Sequence, residues 1–373
     1  MSGTDTMVLR FGEGKISGIL SAVLGLMSLA GVLCFHFPTI LTTPALTQRV
    51  GVEHLRLLLT VVMAFAFALG LVNFMIGRSR ELGLLGMIST TVTQILGGAS
   101  VQVGAAAPHG LLPLGMDALL LGLLFNALLF IPIEKLFPLR RDQPVFRSEW
   151  RVDFSYFAVT NLLASVLMAI VTASGPGLVG WLVVSPIHDW VRSRLPIVQF
   201  GMMALVADLA QYWIHRAFHT PRLWPLHAIH HSTRTMDWLA GSRLHLLEVL
   251  CTRVSVFLPL YWLGFPQDTL YAYIGFVSIH AVFIHANVGI NFGILRYLLA
   301  TPQFHHWHHT DEPEYADKNF AVHFPVLDLI FGTHHQPRGK WPQSYGVIGE
   351  YPPSGMLAQH VHALRRVFSR IHR

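Results

Sequence analysis

Long apolar stretches, each close to the roughly 20 residues that cross a bilayer, recur along this chain. They cover 16–35, 57–76, 82–106, 110–133, 154–174, 199–216, 246–264 and 269–287. The third is the weakest, because it carries Gln94 and Gln102. The pattern predicts an all-α, polytopic membrane protein of about eight spans. The first stretch is a poor signal peptide, since Leu33, Cys34, Phe35 and His36 make a bad cleavage site. The tail 356–373 has a different pattern. Leu357, Val361, Leu364, Phe368 and Ile371 recur at helical steps among Arg365, Arg366, Arg370 and Arg373. That spacing predicts a basic amphipathic helix, lying on an anionic leaflet or simply solvated.

Composition agrees with spans. Hydrophobic residues make up 53% of the 373 and charged residues 12%, against about 25% charged in a soluble globular protein. A net charge of +6 is small for this length and predicts no nucleic-acid partner. Arginine outnumbers lysine 22 to 4, as a GC-rich, bacterial genome would give. Cys34 and Cys251 stand far apart and form no metal-binding pair.

Basic residues set the sidedness. Arg10, Lys15, Arg78, Arg80, Lys135, Arg140, Arg141, Arg147 and Arg151 fall in alternate loops, while Arg49, Arg56, Arg192 and Arg194 go against the rule. The expected topology has both termini, the segment 217–245 and everything after 288 on the cytoplasmic face of a bacterial inner membrane. A histidine-rich helical cap is expected there.

The histidines fall in three groups on that side. They are "HRAFH" (His215, His219), "HAIHH" (His227, His230, His231) and "HHWHH" (His305, His306, His308, His309). Residues i, i+3 and i+4 share one helical face, so each group can aim its imidazoles at one point. His306 points off that face. Pro221 and Pro225 let the first two groups meet at an angle. Eight imidazoles exceed the about four that one ion takes, and two first-row ions account for all of them. Iron, zinc, copper and nickel all accept imidazole, so spacing does not name the metal.

A second tier follows. His285 ends the last span as a further ligand, and His245 opens the seventh span as a ligand or a neighbour of one. His280 reads as packed in a span; His323, His334 and His335 read as surface residues. Ligating imidazoles commonly donate their other N–H to a carboxylate or carbonyl. Asp208 lies seven residues before His215 inside an apolar span, and is the leading outer group with Asn287 and Asp311. Asp237, Glu248, Asp317, Asn319 and Asp328 complete that list.

These boxes resemble the fatty acid hydroxylase and sterol desaturase superfamily of integral membrane non-haem di-iron oxygenases. The resemblance covers about 199–335. It runs through "DLAQYWIHRAFH", "LWPLHAIHHS", "SRLHLLE" (with Leu246 where proline is common), "HANV", "TPQFHHWHH" and "DLIFGT". It implies two irons held by the box histidines, O2 as co-substrate, and attack on a lipid C–H bond. The outcome would be hydroxylation or desaturation. Electrons would come from a separate ferredoxin- or cytochrome-type donor with its reductase, since no haem, flavin or nicotinamide fingerprint is present. On this reading 1–150 is an accessory membrane region, 151–340 the catalytic domain and 341–373 the tail. Ether-lipid cleavage and carotenoid or sterol oxidation are alternatives within the same chemistry. A metal transporter or sensor is the alternative of another class, but it calls for ligands along the spans. A zinc hydrolase calls for HExxH, which is absent.

Overall fold

The structure is a computed structural model that describes residues 15–43, 49–76, 80–103, 114–179 and 184–371. The expected span ends at 104–106 and 110–113, and Arg10, Arg78 and Arg373, lie outside the described residues. The helices are α1 (Lys15–His36), α2 (Pro38–Leu41), α3 (Val52–Ile76), α4 (Arg80–Ile95) and α5 (Met116–Leu136). There follow α6 (Trp150–Val179), α7 (Ser185–Arg192), α8 (Pro196–Phe218), α9 (Trp224–His231) and α10 (Leu246–Trp262). The last are α11 (Gln267–His285), α12 (Pro302–His308), α13 (Val326–Ile330) and α14 (Met356–Ile371). Among the described residues the only extended pairings are the isolated bridges Pro138 with Val288 and Thr310 with Tyr345.

Among the described residues, five segments are long and apolar enough to cross a membrane: Lys15–His36, Val52–Met75, Arg80–Ser100, Met116–Leu136 and Pro196–Phe218. The other three expected spans are helical too, as α6, α10 and α11. α10 has 17 residues; at about 1.5 Å per residue it falls a little short of a hydrocarbon core about 30 Å thick.

The chain divides into two compact units. One comprises Met1–Phe125, Pro144–Ser148 and Asn161–Ala169. Its α1, α3 and α4 pack closely because their facing positions are small. Gly18, Ser21, Gly25 and Ser28 form a buried stripe on α1, and Gly83, Gly86 and Ser89 one on α4. A Cβ on Gly86 would lie 2.5 Å from the Ser21 carbonyl oxygen, and one on Gly25 2.7 Å from the Gly86 carbonyl oxygen. Backbone meets backbone here, as small-residue packing in a bilayer requires. The buried hydroxyls donate to helix carbonyls: Ser21 to Ala66 at 2.8 Å and Thr93 to Ser89 at 2.8 Å.

The other unit comprises Asn126–Gln143, Glu149–Thr160 and Ile170–Arg373. α8 packs against α10 and α11, and α12 lies along α11. The Thr269 hydroxyl donates to Gln199, tying the starts of α11 and α8 together. One apolar core joins Tyr212, Ile284, Phe304, Phe320 and Leu327. A second joins Tyr156, Phe218, Leu226, Ile229 and Ala363. That core seats α14 against α9, and Tyr156 also donates its hydroxyl to Gln359 at 2.7 Å. Leu364 and Val367 pack inward, whereas Leu357 and Phe368 stay exposed. The apolar stripe expected along the tail is therefore packed at Leu364 and exposed at Leu357, Val361 and Phe368.

Candidate metal centre

Local chemistry starts each histidine-bearing helix. Pro225 opens α9 and Pro302 opens α12, where the missing N–H has no intrahelical partner to lose. The Thr301 side chain caps α12 by accepting from the Phe304 N–H. α8 ends at His219, and the Thr220 carbonyl accepts from Trp224, so the chain turns directly into α9.

Two sets of histidine nitrogens converge. His215, His219, His227, His231 and His308 form one; His230, His285, His305 and His309 form the other. Within each set one nitrogen per ring lies within 4.8 Å of all the rest. The groups are not used as the spacing predicts. α9 places His227 and His231 in the five-histidine set and His230 in the other, while α12 places His305 and His309 in the four-histidine set and His308 in the first. Successive residues are about 100° apart on a helix, so His230 and His231 diverge although both share a face with His227. Each short helix thus lies between the two sets and contributes to both.

The nitrogen positions suit cations. His230 Nδ1 donates to the Arg243 carbonyl at 3.1 Å and His285 Nδ1 to the Ala281 carbonyl at 2.7 Å. A carbonyl only accepts, so Nδ1 holds the proton and Nε2 of the neutral ring is bare. Yet these two Nε2 atoms lie 3.3 Å apart. Other such approaches are His215 to His227 at 3.1 Å, His231 to His308 at 3.0 Å and His305 to His285 at 2.9 Å. Where both nitrogens are bare, as in His230 and His285, the facing lone pairs repel. Two nitrogens each about 2.1 Å from an ion, at right angles, stand about 3.0 Å apart. An ion turns the repulsion into coordination, and the residues fit a pair of metal ions.

Burial and repulsion among the rings hold His227, His230, His231, His305, His308 and His309 well below the usual imidazole range. They are neutral at pH 7, as ligands must be.

The outer contacts of the two sets differ. In the five-histidine set, His227 Nδ1 meets the Glu248 carboxylate at 2.6 Å and His219 Nδ1 meets Asp317 at 2.8 Å. The bond from His219 holds the Asp317 carboxyl below its ordinary range. His215 donates to the Phe320 carbonyl and His308 to the Lys318 carbonyl, both at 2.8 Å. In the four-histidine set the Arg243 and Ala281 carbonyls accept from His230 and His285, and His305 Nδ1 and His309 Nδ1 are buried with no hydrogen-bond partner. Arg243 is itself buried, with its guanidinium on Asp153, Glu149 and Ser232.

Residues 200–333 match the family model described as fatty acid hydroxylase. This stretch is a fatty acid hydroxylase domain. The chain is similar to ornithine lipid hydroxylase OlsE of Rhizobium tropici, 29% identical over 49% of this chain and 54% of that one. It is also similar to human alkylglycerol monooxygenase, 28% identical over 44% of this chain and 37% of that one. A third relative, methylsterol monooxygenase 1-2 of Arabidopsis thaliana, is 25% identical over 50% of this chain and 66% of that one. The chain therefore spans between 37% and 66% of the length of these curated relatives. No solved structure matches.

Within the hydroxylase domain the structure brings together all eight box histidines and His285. His306 belongs to neither set; it bonds the Tyr345 hydroxyl at 3.0 Å and the His285 carbonyl at 3.3 Å. His245 also belongs to neither. Its Nδ1 accepts from Leu247, capping α10, and its ring stacks on His360. His323, read as a surface residue, is buried at 1% exposure against His280 and Tyr273. His334 and His335 are half-buried and stack near Tyr297 and Tyr315. The leading outer groups bond elsewhere than to the box imidazoles. Asp208 accepts from Val322, His323 and Phe324, and Asn287 exchanges bonds with the Arg140 backbone; Asp311 accepts from the Ser344 hydroxyl. The carboxylates that do touch box histidines, Glu248 and Asp317, stand on the longer list of outer groups. The carbonyls of Arg243, Lys318 and Phe320 carry no side-chain signal. A hint is the left-handed backbone at Asp317 (φ 55°) and Asn319 (φ 59°), residue types that tolerate it.

Proposed function

We propose that this chain is a membrane-bound lipid monooxygenase that holds two iron ions, one in each histidine set. The observation that carries the reading is the pair of buried sets of bare imidazole nitrogens beside apolar helices. When bound, the ions supply the redox centre at which O2 is reduced and a C–H bond oxidised. The balance is RH + O2 + 2e⁻ + 2H⁺ → ROH + H2O, with electrons from a separate ferredoxin- or cytochrome-type donor. The chain's own residues hold the imidazoles neutral and oriented. Glu248 and Asp317 fix two rings by hydrogen bonds, the carbonyls of Arg243, Lys318 and Phe320 fix three more, and burial keeps bulk water out. A substrate with its tail in the bilayer suits a site fed by spans such as α8. The basic loops support a site on the cytoplasmic side of an inner membrane, with 151–340 as the catalytic region and the first four spans as accessory.

The similarity to an ornithine lipid hydroxylase favours an ornithine lipid as substrate. The similarity to an alkylglycerol monooxygenase supports a second substrate class. Hydroxylation of the carbon beside an ether oxygen gives a hemiacetal, which opens to an alcohol and an aldehyde. Desaturation of an acyl chain and oxidation of a carotenoid would draw on the same centre. Metal analysis of purified protein is expected to find about two irons per chain. Oxygen uptake is expected to require both a reductant and one of these lipids. One zinc per chain, with no oxygen uptake on any lipid, would sink the oxygenase reading.

A further inference from the structure

One loop serves three of the five rings in the first set. Between residues 317 and 320 it offers the Asp317 carboxylate to His219, the Lys318 carbonyl to His308 and the Phe320 carbonyl to His215, each at 2.8 Å. Its backbone is left-handed at Asp317 and again at Asn319, which costs energy and persists only if the surroundings enforce it.

Asn319 is tied to Phe304, Thr333 and His335 by its own side chain and N–H, and the backbone that follows it is held by two fully buried carboxylates. Asp328 accepts from Phe320 N–H at 2.8 Å, Ala321 N–H at 2.9 Å and the Thr333 hydroxyl at 2.6 Å. Asp208, from within α8, accepts from Val322, His323 and Phe324 N–H at 2.8, 3.0 and 2.7 Å. Five consecutive backbone N–H groups therefore end on two acids. The rings of the second histidine set are held by the Arg243 and Ala281 carbonyls, from elsewhere in the chain.

We propose that Asp208 and Asp328 are positioning residues for one of the two ions only. They hold the 317–324 loop, and through it His215, His219 and His308, so that the five-histidine site can be weakened while the four-histidine site stays intact. The inference rests on the reading that these histidines hold metal ions. Replacing either acid by asparagine puts an amide NH2 where a carboxylate oxygen accepts, donor facing donor, and the loop must shift.

The test is cobalt(II) titration of the full chain in detergent, followed by its visible d–d absorption. The wild type is expected to bind two ions with separable spectra. His231→Ala is expected to remove one spectrum and His309→Ala the other, which assigns them. Asp208→Asn and Asp328→Asn are each expected to weaken the ion assigned by His231→Ala by tenfold or more and to shift its bands. The other ion should keep its affinity and spectrum, showing that the variant is folded. Asp317→Asn, which leaves both buried acids in place, should weaken the same ion. Loss of both ions in parallel from Asp208→Asn or Asp328→Asn would overturn the proposal, and so would no change in either. A wild type that binds no ion would sink the metal-centre reading itself.

Discussion

The two units bury polar groups among helices to opposite ends. In the first, buried serine and threonine hydroxyls return to helix carbonyls, and glycines let α1, α3 and α4 touch backbone to backbone. These bonds close within a helix, as Thr93 to Ser89, or onto the neighbouring helix, as Ser21 to Ala66, and the result is close packing. In the second, bonds lead outward from two convergence points. Imidazole Nδ1 atoms are taken up by carbonyls and carboxylates, so that Nε2 atoms are left facing one another. Satisfied polar groups stabilise a helix bundle; groups satisfied on one side only make a ligand set.

The largest expected effect lies in the second unit. His231→Ala and His309→Ala should each reduce lipid-dependent oxygen uptake to background and remove one ion by metal analysis. If either variant kept both iron and turnover, the two-set description would fail.

Acid comes next. The six box histidines named above have folded-state values below the usual 6.5, so the unfolded chain binds more protons. The stability this confers is complete above about pH 6.5 and is lost as pH falls below it. The loss reaches at most about 1.4 kcal/mol per pH unit for each histidine. Melting of metal-free protein between pH 7.5 and 5 should show the drop in the second unit and spare the first. A flat profile would contradict the buried, neutral imidazoles.

Glu248→Gln keeps the shape but puts an amide where the carboxyl meets His227 Nδ1. It should lower affinity for the ion in the five-histidine set by about 10–100-fold. An effect confined to the four-histidine set would reverse the assignment of contacts. Gly86→Ala tests the other side of the comparison. Its Cβ would lie 2.5 Å from the Ser21 carbonyl oxygen, and overpacking of this kind costs about 1–3 kcal/mol. Thermal stability should fall while iron content stays constant. The smallest change is Tyr345→Phe. It removes the hydroxyl that meets His306, worth about 1 kcal/mol, and should leave both ions in place because His306 is in neither set.

Much of this was legible in the residues, and the limits have physical causes. Apolar runs predict helices because a buried or membrane-embedded backbone must satisfy its own hydrogen bonds, and a helix lies at each of the eight expected places. Histidine spacing marked the box residues because i, i+3 and i+4 neighbour one another on a helix. The division into five and four was not legible. It depends on how α9 and α12 sit between the two convergence points, which spacing along one helix does not express. His245 looked ligand-like because it stands beside a span start, but the start itself claims it, since a helix N-terminus needs an acceptor. His323 looked like a surface residue, standing beyond the last expected span. Its burial comes from α11, more than 40 residues earlier in the chain.

Asp208 shows where the boundary falls. An acid inside an apolar span announces a partner, because an unpaired charge there is costly, so residue type and surroundings established that something must bind it. Which group binds it was decided by the tertiary structure, which sets three N–H groups of a loop 114 to 116 residues away against its carboxylate. Backbone N–H and C=O groups are the same in every residue except proline, so sequence cannot mark which of them will be used. Residue identity determined the helices, their apolar character and the pool of candidate ligands. Only the fold chose the carbonyls that orient the rings, and with them the two points at which the bare nitrogens meet.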